Sequence, residues 1–440
     1  MPGTNKHTAQ HKQSGLKELF GKLRFVLLAL LVYRLGVHIP VPGIDPERLS
    51  DLFAQSQGPV LNLFNMFSGG ALERMSIFAL GIIPYISASI IMQLLSAVVP
   101  SLDSLKKEGE HGRMQITQYT RYLTVLLAFV QSLGMSAGLV SQGITFDNSG
   151  LSFYFISVIS FVSGTVFLMW LGEQITEKGV GNGISLLIFA SIVSGLPLAA
   201  GQTIEKIRVG DMGFVILPLL IIVVVAIICF IVFIERGQRR ITISYANRQT
   251  RAASYLSQTS HLPLKINMAG VIPAIFASSL LLFPASIGQW LSQSDNFGWL
   301  YSLSSYISPG QPLYIILFFV AVVFFCFFYT AIVFNPKEIA SNLKKSGAFI
   351  TGIRPGKQTA DYIDLVITRL TVFGSLYIAF VSIFPQLLFQ SWNIPFYLGG
   401  TSLLIVVVVA MDFMAQVQSH LLSHQYDGLM KKTNIQSFSR

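Results

Sequence analysis

The chain has 440 residues, 52% of them hydrophobic and only 11% charged, and a formal net charge of +10. Soluble domains carry about 25% charged residues, so this composition excludes an ordinary soluble globule and points to a bilayer. Apolar stretches of roughly 20 residues recur, the length a transmembrane helix needs. A β-barrel would instead show strands of about 10 residues with alternating polarity.

A polar N-terminal segment, residues 1–24, passes into an apolar run at Phe25 that ends in "GVHIPVPGID". No small-x-small cleavage signal follows, so a retained first helix is expected rather than a removed leader. Spans are predicted at about 25–40, 76–96, 123–140, 152–171, 184–202, 214–234, 268–288, 313–334, 370–389 and 397–414. An even number of spans puts both termini on one side of the membrane.

The stretch before and within the second span, "NLFNMFSGGALERMSIFALGIIPYISASIIMQLLS", is apolar yet broken. Gly69-Gly70 weakens helix continuity and permits a sharp turn. Glu73 and Arg74 are expensive at the bilayer centre. A short amphipathic piece, about Leu61 to Phe67, is therefore expected to fold separately, with the full span starting near Ser76. The residues alone leave two readings open: a re-entrant half-helix beside a cavity, or an external loop with an interfacial helix.

In the second span, Ile82 and Ile86 share one helical face, while Ser87, Ser89, Gln93 and Ser96 place polar groups elsewhere around it. The seventh span mixes Gly270, Ser278 and Ser279 with Pro273 and Pro284. Small residues and hydroxyls support helix contacts that are close but not strongly apolar.

All but five of the 30 lysines and arginines fall on the side of the termini; the exceptions are Arg34, Arg48, Arg74, Lys206 and Arg208. Positive loops stay inside, so both termini are expected to be cytoplasmic. The two long basic loops, 235–267 and 335–369, have a length that topology alone does not explain, and a partner-binding surface is a reasonable second role.

Inside the spans the ionisable residues noted are Arg34 and Asp412, each near a helix end where it can reach the interface. Mid-membrane ionisable groups, which ion-coupled transporters usually need, are missing. So are paired aspartates, a Ser/His pair, zinc ligands and a GxxxxGK[ST] loop, which argues against an intramembrane protease or an ATPase. "GVGNGIS" follows a helix rather than a strand, so it reads as a helix entry with Asn182 or Ser185 as cap. His420 and His424 lack a third ligand. Cys229 and Cys326 read as packing residues. No catalytic group, metal or cofactor is expected.

"MFSGGALERMSIFALGIIPYISASIIMQLL", "KKEGEHGRMQITQYTRY", "GVGNGISLLIFASIVSGLP", "PLKINMAGVIPAIFASS", "FNPKEIASNLKKSGAFITGIRPGKQTADYI" and "YLGGTSLLIVVVVAMDFMAQVQSHL" together resemble the SecY family, the central pore subunits of the bacterial protein-conducting translocon. The resemblance implies an all-α polytopic membrane protein: ten helices in two inverted five-helix halves, roughly 25–202 and 214–414, around an hourglass pore, with a cytoplasmic tail at 415–440. It implies a constricting ring of Ile82, Ile86, Ile192, Ile275 and Ile405, and a plug within 61–74 that includes Leu63, Phe64, Met66, Phe67, Gly69 and Gly70. The second and third spans would face the seventh and eighth across a lateral gate, with Ser87, Gln131, Asn267, Ser278 and Ser279 as polar contacts. Arg354, Lys357, Arg239, Arg240, Arg248 and Arg251 would dock the SecA motor or the ribosome. SecE and SecG are implied as small partner subunits, signal-bearing preproteins as substrates, membrane lipids as surroundings and the bacterial inner membrane as location. The alternative from the residues alone is a secondary transporter with inverted repeats and a broken helix.

Overall fold

The structure is a computed structural model that describes residues 4–49, 59–145, 150–210, 213–245, 260–291, 306–308, 310–391 and 399–437. Its helices are α1 (Thr4–Gly36), α2 (Pro59–Ser68), α3 (Ile83–Val98), α4 (Pro100–Lys107), α5 (Glu110–Ser141), α6 (Gly150–Lys178), α7 (Gly183–Val209), α8 (Ile216–Glu235), α9 (Ile272–Leu291), α10 (Pro312–Val333), α11 (Pro336–Lys345), α12 (Lys357–Ser391) and α13 (Gly400–Ser437). Three short strands accompany them: β1 (Gln238–Tyr245), β2 (Ser260–Lys265) and β3 (Ala348–Ile350).

Each predicted span overlaps one of these helices. Among the described residues seven helices are long and apolar enough to cross a bilayer, or eight if the bent pair α3–α4 counts as one span. The remaining two predicted spans fall on α1 and on α9, where Ile272–Leu282 is a shorter apolar helix. The 97° bend between α3 and α4 has a local cause. Val99 precedes Pro100 and is extended (φ −91°, ψ 114°), because a proline ring disfavours helical geometry in the residue before it.

The start of the second span needs correction. Regular helix begins at Ile83, not near Ser76. Gly81 has a φ of +59°, a left-handed conformation that interrupts a right-handed helix. Pro84 then sits in the first turn of α3, where its missing N–H costs nothing. Residues 71–82 form successive turns, and Ser76 pairs with Pro40 in an isolated antiparallel bridge.

The chain divides into two compact units. One comprises Met1–Gln202, Leu282–Ser305 and Val409–Arg440; the other comprises Thr203–Leu281 and Tyr306–Val408. In the first, α3 packs on α5, α5 on α6, and α1 on α6. The Arg121 guanidinium spans α5 and α6 as a fork on the Glu173 carboxylate, at 3.0 and 2.8 Å, the bidentate geometry that gives such pairs their specificity. Asn182 caps α7, its Oδ1 accepting from the Ile184 and Ser185 amides at 3.1 and 3.3 Å. In the second unit α12 packs on α10 and α11.

The two long basic loops are folded together. β1 pairs antiparallel with β2 from the same loop and with β3 from the other, in the order β2-β1-β3. Along β1, Ile241 and Ile243 are buried while Arg240 and Thr242 are exposed, the period-2 alternation of a half-buried strand. Ile241, Leu264 and Ile350 form a core with Ile363, Val366 and Ile367 of α12. The apolar-polar alternation in "QRRITISY" is the signal that a reading as plain loop passes over.

Gly164 on α6 marks the tightest approach around the broken segment, because a Cβ there would overlap the Ile77 carbonyl. Gly164→Ala is therefore expected to destabilise the first unit by about 1–3 kcal/mol through overpacking. Thermal unfolding of the purified variant in detergent checks this; an unchanged or raised midpoint would contradict the close packing.

Candidate plug, constriction and docking site

The plug candidate is α2 and the turn after it. Phe64 and Phe67 are buried and Met66 is half-buried; Leu63 lies in the same helix, its side chain outside the described residues. The helix ends at Ser68, and Gly69 and Gly70 both take left-handed φ, +69° and +85°. The Gly69 amide donates to Met66 O and the Gly70 amide to Asn65 O, so the turn closes back on its own last helical carbonyls. Asn65 ties the far side of the turn, its Oδ1 accepting from the Glu73 amide at 3.1 Å and its Nδ2 donating to the Glu73 carboxylate at 3.2 Å. Glu73 and Arg74 are both exposed.

Helix α1 holds this turn, and α7 meets its tyrosine. The Tyr33 hydroxyl lies 3.0 Å from Ser68 O and 2.6 Å from Ser191 Oγ. Arg34 Nη1 donates to Gly69 O at 3.0 Å. Sequence reasoning assigns Arg34 to snorkelling at a helix end and passes over Tyr33, Ser68 and Ser191. The visible hint is a tyrosine-arginine pair closing an otherwise apolar span. Ser68 also caps locally, its Oγ accepting from the Leu72 amide and donating to Asn65 O.

The five isoleucines expected to form a ring are all buried. Ile82 is the N-cap of α3, and its carbonyl accepts the Ile86 amide at 3.0 Å, which keeps the two residues one turn apart. Ile192 on α7 belongs to the same unit. Ile275 on α9 and Ile405 on α13 belong to the other. None of the five side chains offers a charge or a hydrogen-bonding group.

The proposed gate residues have unequal surroundings. In the first unit Ser87 Oγ and both amide atoms of Gln131 are buried without a hydrogen-bond partner. Each such group costs about 1–3 kcal/mol when left unpaired. In the second unit Ser278 turns its hydroxyl onto Ala274 O and Ile275 O of its own helix, and Ser279 is buried. Asn267 is engaged in several directions: Nδ2 donates to both Glu235 carboxylate oxygens, at 3.3 and 3.1 Å, and to Gly270 O, while Oδ1 accepts from the Gly270 amide. Glu235 is itself buried. Sequence reasoning passes over it, because an acid at the end of an apolar helix looks like an interfacial group.

Arg239, Arg240, Arg354 and Lys357 are exposed on the folded body that the sheet makes of the two loops. Arg354 is presented by a turn in which Gly356 has a φ of +112° and Thr359 Oγ1 donates to the Arg354 carbonyl at 2.9 Å. Arg248 and Arg251 lie outside the described residues.

Comparison with known proteins gives these parts a context. A family-wide sequence model described as SecY matches residues 76–414. The chain is 65% identical to the protein translocase subunit SecY of Pseudomonas aeruginosa, covering 96% of both chains. It is 57% identical to that of Escherichia coli K12, covering 98% of both. Its fold is similar to that in "The structure of a protein conducting channel", with a TM-score of 0.69 at 20% identity over 92% of this chain and 93% of the other. It is also similar to Sec61 in a canine ribosome-channel complex from the endoplasmic reticulum, with a TM-score of 0.66 at 19% identity and the same coverage. A helical chain of repeated apolar spans, matched along nearly its whole length by these relatives, belongs to the SecY family.

Proposed function

We propose that this chain is the channel subunit through which unfolded secretory polypeptides cross the bacterial inner membrane, and from which hydrophobic segments pass sideways into lipid. The observation that carries this reading is α2: a helix too short to span a bilayer, folded back through two left-handed glycines and held by side chains of α1, in a member of the SecY family. α2 and its turn act as the stopper of a pore. Ile82, Ile86, Ile192, Ile275 and Ile405 form a dewetted gasket around the passing chain. A conduit for varied sequences needs weak, non-specific contact, which aliphatic groups supply and charged groups do not.

Ser87 and Gln131, with Asn267, Ser278 and Ser279, act as polar contacts of a lateral exit. Buried polar groups lacking partners favour departure from the state that buries them, and Ser87 and Gln131 are such groups. The transporter alternative is not favoured, since the similar proteins are translocase subunits and protein-conducting channels. The chain does no catalysis of its own in this reading; energy comes from the SecA motor, a translating ribosome or the membrane potential. Both termini are cytoplasmic, and SecE and SecG complete the complex. The sheet that unites the two basic loops presents Arg239, Arg240 and Arg354 to an acidic protein surface or to rRNA phosphate.

Reconstitution with SecA, ATP and a signal-bearing preprotein tests the function directly. Substrate should become protected from added protease inside the vesicles, and persistent protease sensitivity would count against a translocon. Asparagine in place of Ile82, Ile86, Ile192, Ile275 or Ile405 is expected to raise resting ion leak or to admit defective signal sequences. Tight, selective channels from all five variants would refute the gasket. Arg354→Glu is expected to slow motor-driven translocation at least about tenfold by charge reversal at a docking contact, with normal insertion. An unaltered rate would remove that residue from the docking surface.

A further inference from the structure

Two hydroxyl protons serve three contacts beneath the turn that follows α2. The Tyr33 hydroxyl is within reach of Ser68 O (3.0 Å) and Ser191 Oγ (2.6 Å), while Ser191 Oγ is also 2.8 Å from Leu187 O. The two carbonyls only accept, and each hydroxyl donates one proton. Both carbonyls therefore cannot be served while the hydroxyls also bond each other. While the two hydroxyls stay bonded to each other, at 2.6 Å, two arrangements remain. In one, Ser191 donates to Tyr33 and Tyr33 donates to Ser68 O. In the other, Tyr33 donates to Ser191 and Ser191 donates to Leu187 O, which leaves Ser68 O without the tyrosine.

We propose that Tyr33 and Ser191 form a reversible hydroxyl latch on the α2 hinge: the first arrangement holds Ser68 O, and the second lets go of it, loosening the hinge without leaving either hydroxyl unpaired. The site is built for this. Tyr33 and Ser191 are 2% and 1% exposed, so water does not compete for their protons. Gly69, next to the latched carbonyl, comes so close to the Tyr33 hydroxyl that an added Cβ would lie 2.8 Å from it. The Tyr33 ring is held in place by stacking on Phe78, which stacks in turn on Phe167, at centroid distances of 6.2 and 5.8 Å. Arg34, bonded to Gly69 O at 3.0 Å, is a second anchor that the proton rearrangement leaves untouched. A buried donor left unpaired costs more than a hydrogen bond gains, so a release that re-pairs the tyrosine is far easier than one that strands it. Tyr33 and Ser191 are thus positioning residues for the plug, and the latch rests on the reading of α2 as plug.

This assignment gives two conservative substitutions opposite signs. Tyr33→Phe keeps the ring and removes the proton that holds Ser68 O. Ser191→Ala keeps the tyrosine proton but removes its alternative acceptor, so the proton stays on Ser68 O. The variants are reconstituted into vesicles beside wild type and a variant lacking residues 61–74, and two quantities are read. One is resting ion leak; the other is the ratio of export of a preprotein with a weakened signal to export of one with a strong signal. Tyr33→Phe is expected to raise both readings about three- to tenfold, and Ser191→Ala to lower the weak-signal ratio by about the same factor. The Tyr33→Phe/Ser191→Ala double variant should behave like Tyr33→Phe alone, since no proton remains to redirect. A merely structural cluster would shift both single variants the same way, and that result, or wild-type readings from Tyr33→Phe, would overturn the latch. If removing residues 61–74 leaves the leak unchanged, the plug reading fails and the latch with it. If that deletion leaks and the point variants do not differ from wild type, the latch alone fails. Strong-signal export at the wild-type rate serves as the check that each variant is folded and inserted.

Discussion

A bilayer offers no water to an interrupted helix, so every backbone polar group freed by a break has to be satisfied by the protein itself. Residues 69–82 are where this chain meets that constraint. The Val41 amide donates to Met75 O, and the Ile77 amide to Ile39 O. The Leu72 and Phe78 amides donate to the Ser68 and Ser76 hydroxyls. The Ser68 and Gly69 carbonyls meet Tyr33 and Arg34. The break is therefore lined with partners from α1 and the turn after it. Its backbone is held by partners within the protein while the Glu73 and Arg74 side chains stay exposed, and the short helix before it has a fixed attachment.

The caging sets what the rest of the first unit can be. Gly164 stays bare because α6 passes against the Ile77 carbonyl, and Phe78 sits between Tyr33 and Phe167. Ile82 ends the break and Ile86 follows one turn later, so their placement depends on how the turns before them are held. The uneven polar satisfaction makes sense beside this. The groups around the hinge are nearly all paired, whereas Ser87 and Gln131 farther along are not. Paired groups hold a segment still, and orphaned ones favour any change that finds them a partner.

The second unit meets a different constraint. Its two basic loops are far apart in the chain, and charge alone would drive them apart. The pairing of Ile243 with Ile350 and of Tyr245 with Ala348, over a core shared with α12, offsets that repulsion. Parts of both loops are joined in one folded surface. Asn267 and Glu235 tie the entry of α9 to the end of α8 in the same unit.

Much of the architecture was legible because its signals are local. Apolar runs of span length, the basic bias of alternate loops, the Gly69-Gly70 turn and the Asn182 cap each depend on a few neighbouring residues. The family motifs then supplied names for the parts. The start of α3 differs from the sequence expectation because hydropathy continues unbroken from Ser76 through Ile83, while the left-handed Gly81 that delays the helix leaves hydropathy unchanged. The sheet escapes a local reading because each strand is short and β3 comes from the other loop. The Tyr33 cluster was invisible for the same reason, since its bonds join residues 35 and 158 positions apart. By itself the sequence determined which segments enter the membrane, which side the charges favour and where the chain has to turn, all consequences of side-chain transfer energies and local backbone freedom. Only the tertiary structure decided which hydroxyl meets which carbonyl and which loop pairs with which. Those pairings depend on the packing of whole helices, which no local pattern encodes.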